Sequence, residues 1–199
     1  MIKKIAIIIL IVLMCAAMVL GCSQQQARQP VNRSSGTFMK ESIARNKKLI
    51  AGEEGKIDSI IKSDPKVKYI ASNKGYWYRY DVRNAKDTLR PRKGDIANFN
   101  YEVKDLNGNV IYTELELRPQ TYHVDKEQKI IIGLRHGIKL MRKNETVTFL
   151  FPSHMAYGYH GDDRRIGHNE PLIYTVTLTD FKPEVALNNE PKQTKTITE

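Results

Sequence analysis

IIIGLRHGIKLMRKNETVTFLFPSHMAYGYHG, residues 130–161, decides the reading of this chain. It begins as an apolar strand end. Leu134, Ile138 and Met141 then recur at i, i+4 and i+7, the mark of a single helix of about two turns. A short turn follows, and Val147, Phe149 and Phe151 alternate as the inward face of a strand closed by Pro152. After the strand comes a loop containing Ala156-Tyr157-Gly158. Such an order builds an apolar pocket floored by a helix, with a tyrosine hydroxyl at its mouth. No acid, base or nucleophile is placed for attack, so the segment suits a reaction that needs shape and dryness.

Working outward, the same alternation continues on both sides. Tyr76, Tyr78, Tyr80 and Val82 alternate with Trp77, Arg79 and Asp81, and Ala97, Phe99, Tyr101 and Val103 with polar neighbours. Asp105-Leu106-Asn107-Gly108 reads as a turn, because Asn-Gly supplies positive φ. Val110 to Leu117 reads as the returning strand, and Leu172, Tyr174, Val176 and Leu178 as the last. The expected body is an α+β fold, an antiparallel β-sheet wrapped around one short α-helix, over residues 67–183. Before it, residues 38–66 read as a helical spacer. Ile50, Ile57 and Ile61 share one face, while Gly52 and Gly55 each weaken the middle by about 1 kcal/mol relative to alanine. Two short helices or one kinked helix, ending before Asp64-Pro65, are expected there. The stripe reads as packing on the body, with self-association through residues 38–63 the sharper alternative.

The chain begins as an export leader. Lys3 and Lys4 precede the 16-residue apolar run IAIIILIVLMCAAMVL, shorter than the roughly 20 residues a spanning helix needs. Residues 1–21 are therefore a signal peptide. Val19-Leu20-Gly21-Cys22 resembles the lipobox of bacterial lipoproteins, which implies cleavage before Cys22 and its acylation, with palmitate among the chains attached. Cys15 and Cys22 are the two cysteines of the chain, so the mature protein has neither free thiol nor disulfide. Residues 22–37 are polar and read as a flexible linker, and residues 184–199 as a disordered tail. Losing Lys3 and Lys4 takes the net charge from +10 to +8. The basic residues are interleaved with acids, as in KGDIANFNYEVKD over residues 93–105. No nucleic-acid motif appears; the surplus charge reads first as a solvated basic surface, and anionic lipid headgroups match it better than nucleic acid as a partner.

Four segments from Pro91 to Phe181 together resemble the FKBP-type peptidyl-prolyl isomerases: GDIANFNY ending at Tyr101, Ile130 to Leu134 with Gly137 to Met141, Ala156-Tyr157-Gly158, and PLIYTV from Pro171 to Val176. The layout of lipoprotein signal, helical spacer and this domain also resembles the gliding-motility-associated FKBP-type lipoproteins. The resemblance implies that Tyr101, Ile130, Tyr157 and Tyr174 line a proline pocket. It implies that the Ile131 N–H and the Tyr157 hydroxyl bind substrate carbonyls. Leu134 stands where the family usually has a tryptophan floor. Ile111 replaces a common phenylalanine, and Tyr112 a common aspartate whose polar contact would then be missing. Tyr122 stands as another wall aromatic and Ile166 as a rim residue. No cofactor is implied. His154, His160 and His168, with Asp162 and Asp163, match no zinc spacing and read as surface residues; no metal is expected. His136 reads as exposed on the helix flank.

The implied function is isomerisation of X-Pro bonds in exported proteins, by a lipid-anchored enzyme of the bacterial envelope, with the outer membrane facing the periplasm preferred. Its partners are proline-containing segments, and the membrane through Cys22. The alternative is a noncatalytic binding module for a proline-containing envelope or motility-machinery partner, to which Leu134 and Tyr112 lend weight. Cys22→Ala should release the protein from membranes or leave it unprocessed; a variant that fractionates and migrates like its parent would end the lipoprotein reading.

Overall fold

The computed structural model describes residues 36–183. The leader 1–21, Cys22 with its expected lipid, most of the linker 22–37 and the tail 184–199 lie outside the described residues. Two compact units divide the chain, Met1–Ser42 and Ile43–Glu199. The described part of the first is the opening of a helix, with Phe38 and Met39 exposed.

That helix, α1, runs without interruption over Gly36–Ser63. It starts inside the span read as linker, and it replaces the two short or kinked helices expected. Gly52 and Gly55 do not break it: a Cβ at either would meet nothing within 4 Å, so each glycine costs only propensity, and a helix of 28 residues carries two such positions. Lys62 pairs with Asp58 one turn away at 2.5 Å. Asp64-Pro65 ends it, since a proline pushes the residue before it out of the helical region. On the apolar stripe Ile57 is fully buried and Ile50 and Ile61 half-buried, whereas Ile43 and Leu49 are exposed.

Among the described residues, the strands form one antiparallel sheet. They are β1 (Ile70–Ala71), β2 (Trp77–Val82), β3 (Ile96–Asp105), β4 (Val110–Tyr112), β5 (Gln120–His123), β6 (Thr146–Phe151) and β7 (Leu172–Lys182), in the order β1-β2-β6-β7-β3-β4, with β5 also paired to β3. The chain thus has the expected α+β architecture. Ala97, Phe99, Val103, Val147, Phe149, Phe151, Leu172, Tyr174, Val176 and Leu178 supply the buried inner face. The ten-residue β3 against β7 is its spine, pairing Val103 with Tyr174 and Tyr101 with Val176.

Three local readings change. Val82 does not continue the inward face of β2: a register shift between Tyr80 and Val82 turns it out, and it is exposed. Val110 to Leu117 is not one strand. β4 stops at Tyr112, and α2 (Glu114–Leu117) begins at once, because Thr113 and Glu116 form a capping box. β5 was not anticipated; its only signal was the short alternation Tyr122-x-Val124, both of whose apolar side chains are fully buried.

The short helix α3 (Ile132–Gly137), continued by a 3₁₀ turn over Ile138–Leu140, lies on the inner face and buries Leu134, Ile138 and Met141. Gly133 and Gly137, one turn apart, make this approach possible. A Cβ would come within 2.7 Å of the Phe151 ring at the first and 2.8 Å of the Phe149 ring at the second. His136 is not exposed on its flank: the side chain is half-buried, and Nδ1 is sealed without a partner. Burial, and then Lys139, Lys74 and Arg135, push its pKa below the ordinary histidine value. Gly133→Ala should destabilise the fold by about 1–3 kcal/mol through overpacking against Phe151, read as a lower urea-unfolding midpoint. An unchanged midpoint would show that the ring moves aside freely.

Candidate active site

β3 and β7 place Tyr101 and Tyr174 side by side, their rings stacked with centroids 5.6 Å apart and planes 11° from parallel. Phe151 meets Tyr174 edge-on at 5.5 Å. After β6, Pro152 and a 3₁₀ turn over Ser153–Met155 deliver the loop bearing Tyr157. The Tyr157 and Tyr174 hydroxyls interact, which helps the Tyr157 phenol toward ionisation and holds that of Tyr174 back. Burial nevertheless leads in every case. It pushes Tyr101 up to about 12, aided by the neighbouring Tyr157 and Tyr112. Tyr157 is also raised, and Tyr174, at 1% exposure, lies well above the ordinary tyrosine value. The three phenols are neutral throughout the physiological range. The cluster offers hydrogen-bond donors and apolar faces, and no general base.

Tyr157 opens on a cavity of about 410 Å³ whose other walls are Tyr112, Leu117, Gly161, Asp162, Asp163 and Arg164. Ile130 and Ile131 pack half-buried against the core. Ile131 sits in an extended conformation at the start of α3, where its carbonyl accepts the Arg135 N–H at 3.1 Å. Its own N–H meets no acceptor among the described residues, as befits a residue that opens a helix.

Some sequence-derived site residues are covered. Leu134 is buried with the core beneath the helix, and Ile166 is buried rather than at an open rim. Tyr122 is fully buried on β5, where its oxygen accepts the Asp125 N–H at 3.0 Å. Ile111 is half-buried against the core. His160 and His168 are exposed, as is His154.

Tyr112 makes a polar contact of its own in place of the one an aspartate would make. Its hydroxyl donates to Asp162, whose other oxygen accepts the N–H groups of Arg164, Arg165 and Ile166 at 3.0, 2.9 and 2.8 Å. Burial acts to raise the Asp162 pKa, but these hydrogen bonds outweigh it and leave the carboxyl below its usual range. Gly161 allows the turn: it has φ 73°, and a Cβ there would press to 2.3 Å from the Ile166 carbonyl. Arg165 binds the two walls together. Its guanidinium lies 4.9 Å from the centre of the Tyr112 ring, and it donates to the Ile111 carbonyl at 2.7 Å and to Glu116 at 2.8 Å. Sequence reasoning weighed Asp162 only as a metal ligand and missed Arg165 and Glu116. The only signal was the Thr113-x-x-Glu116 spacing of the capping box.

Residues 88–179 match the family of FKBP-type peptidyl-prolyl cis-trans isomerases. The chain is 28% identical over 117 residues to a probable FKBP-type isomerase, FkpA, of Neisseria meningitidis serogroup B, covering 58% of this chain and 42% of that protein. It is 29% identical over 122 residues to the isomerase Mip of Coxiella burnetii, 61% of this chain and 50% of the relative. It is 24% identical over 164 residues to the outer membrane protein MIP of Legionella longbeachae, 80% of this chain and 67% of that one. The match thus spans about half the length of the first two of these relatives. The crystal structure of FkpA from Escherichia coli superposes with a TM-score of 0.55 at 23% identity, over 80% of this chain and 75% of that one. Residues 88–179 are thus similar to the FKBP-type isomerases, and the fold is of the kind seen in FkpA.

The wall network titrates. The hydrogen bond from Arg165, then those from Thr113, hold Glu116 at about 2, against an ordinary 4.5. A lowered folded-state pKa means stabilisation present above the unfolded value and lost as pH falls through the folded one. The melting-temperature difference between the parent and Glu116→Gln should be constant above pH 4.5, shrink as pH drops toward about 2 and vanish below it. A difference independent of pH would show that the ion pair contributes nothing.

Proposed function

We propose that this chain is a peptidyl-prolyl cis-trans isomerase that acts on proline-containing segments of exported proteins without a covalent intermediate. The observation that carries the reading is the neutral cluster of Tyr101, Tyr157 and Tyr174, of which Tyr157 lines a cavity, within the segment that matches the FKBP-type family.

Rotating an X-Pro amide crosses a barrier of about 18–20 kcal/mol, because the C–N bond has partial double-bond character. Resonance is lost in the twisted form, so its carbonyl is less polarised and depends less on water. Apolar walls therefore disfavour the twisted amide less than the planar one. On this reading the proline ring sits among Tyr101, Ile130 and Tyr174. Ile131 is half-buried and its N–H meets no acceptor among the described residues, which supports its role as donor to the carbonyl beside the proline. The Tyr157 hydroxyl, beside the cavity, would donate to a second substrate carbonyl. Each tenfold in rate needs about 1.4 kcal/mol of preference for the twisted form, within reach of a few such contacts.

Cys22 acylation would tether the enzyme in the bacterial envelope, with the outer membrane the preferred site. The Legionella relative's name supports that location.

Exchange NMR on a short X-Pro peptide with the full-length chain in detergent tests this reading. Cis/trans line broadening at catalytic protein levels is expected. Its absence beside a folded spectrum would leave the noncatalytic binding module. Tyr157→Phe removes only the hydroxyl and should lower kcat/KM by up to about tenfold, the worth of one hydrogen bond. Tyr174→Phe should lower it less while keeping the stack on Tyr101. Tyr174→Ala is a poor test, since emptying so buried a site costs about 3–5 kcal/mol of stability.

A further inference from the structure

One buried acid has no part in the mechanism above. Glu53, in the middle of α1, is 3% exposed, yet no basic side chain pairs with it among the described residues. Both carboxylate oxygens go to a single residue a hundred positions later: Oε2 accepts the Ser153 N–H at 2.8 Å, and Oε1 the Ser153 hydroxyl at 2.7 Å. Burying a carboxylate is costly unless it is hydrogen-bonded, and bonds to an ionised acceptor are among the stronger ones.

Ser153 is also the post on which the Tyr157 loop hangs. Its carbonyl accepts the N–H groups of Ala156 at 3.0 Å and Gly158 at 2.8 Å, the residues on either side of Tyr157. The Gly158 carbonyl in turn accepts the Asn169 N–H at 2.8 Å. Glu53 lies outside residues 88–179, the part that matches the isomerase family. The helical arm therefore reaches into the loop that carries a substrate donor.

We propose that Glu53 is a positioning residue for Tyr157: through Ser153, α1 fixes the loop so that the Tyr157 hydroxyl points at substrate, and the arm thereby sets the activity of the pocket. The proposal rests on the reading of Tyr157 as a substrate contact. The clamp should act on transition-state binding, where a misplacement of about 1 Å can cost as much as a hundredfold.

The experiment uses the full-length chain in detergent, at a temperature where circular dichroism shows each variant folded. Glu53→Ala should lower kcat/KM for the same X-Pro peptide by about tenfold or more. It should also speed hydrogen exchange at the Tyr157 and Gly158 amides while leaving Val103 and Val176 in the sheet protected. Glu53→Gln, which keeps one carbonyl acceptor, should fall between. Ser153→Ala keeps the backbone bond to Glu53 and loses the other; it should show a smaller loss and serves if Glu53→Ala does not fold. A clamp that only stabilises would lower the melting temperature with kcat/KM unchanged within about twofold and with Tyr157–Gly158 exchange unaltered; that result overturns the proposal. If the parent itself shows no isomerisation, the functional reading fails, and Tyr157–Gly158 exchange alone decides whether Glu53 orders the loop.

Discussion

The closeness of one short helix to one pair of stacked rings constrains the rest of this molecule. Phe149 and Phe151 stack on β6 with centroids 5.3 Å apart, and α3 rests on their edges through Gly133 and Gly137. Any larger side chain at either glycine would lift the helix. That height places Ile130 and Ile131 at the entrance to the helix, and it lets the Phe151 ring meet Tyr174 edge-on. Core packing and pocket geometry are thus the same contact seen from two sides. Interiors packed to crystal-like density transmit such displacements with little loss.

The site built on this base is electrically quiet. Its three phenols are held un-ionised by burial, and the charges nearby are spent on architecture. Asp162 closes its own loop and receives Tyr112; Arg165 is divided among Ile111, Tyr112 and Glu116. An amide that becomes less polar as it twists is best served by walls that ask nothing of its charge. The apolar surface is thus that of the tyrosine cluster, while Asp162, Asp163 and Arg164 form part of the adjoining cavity wall and Asp162 and Arg165 fix its shape between the 110–117 and 156–166 segments.

How far the sequence could be read depended on the kind of interaction. The alternation through Ala97 to Val103, Val147 to Phe151 and Leu172 to Leu178 was legible, because an inward strand face repeats every two residues and burial demands apolar side chains there. The helix at 132–140 was legible for the same reason at a different period. Val82 and the 110–117 segment were misread because a bulge and a capping box override local pattern with single hydrogen bonds. Tyr122 was visible as an aromatic but not as a core residue, since β5 owes its place to pairing with β3 rather than to its own four residues.

The sequence by itself determined which faces would be buried, where the helix against the sheet would fall and which tyrosines were available, because those follow from period and side-chain polarity along the chain. Only the tertiary structure decided that Tyr174 would meet Tyr157, that Asp162 would answer Tyr112, and that Glu53 would grip Ser153. Hydrogen bonds between residues tens of positions apart leave no spacing to read. They exist only once the sheet has brought their loops within about 3 Å.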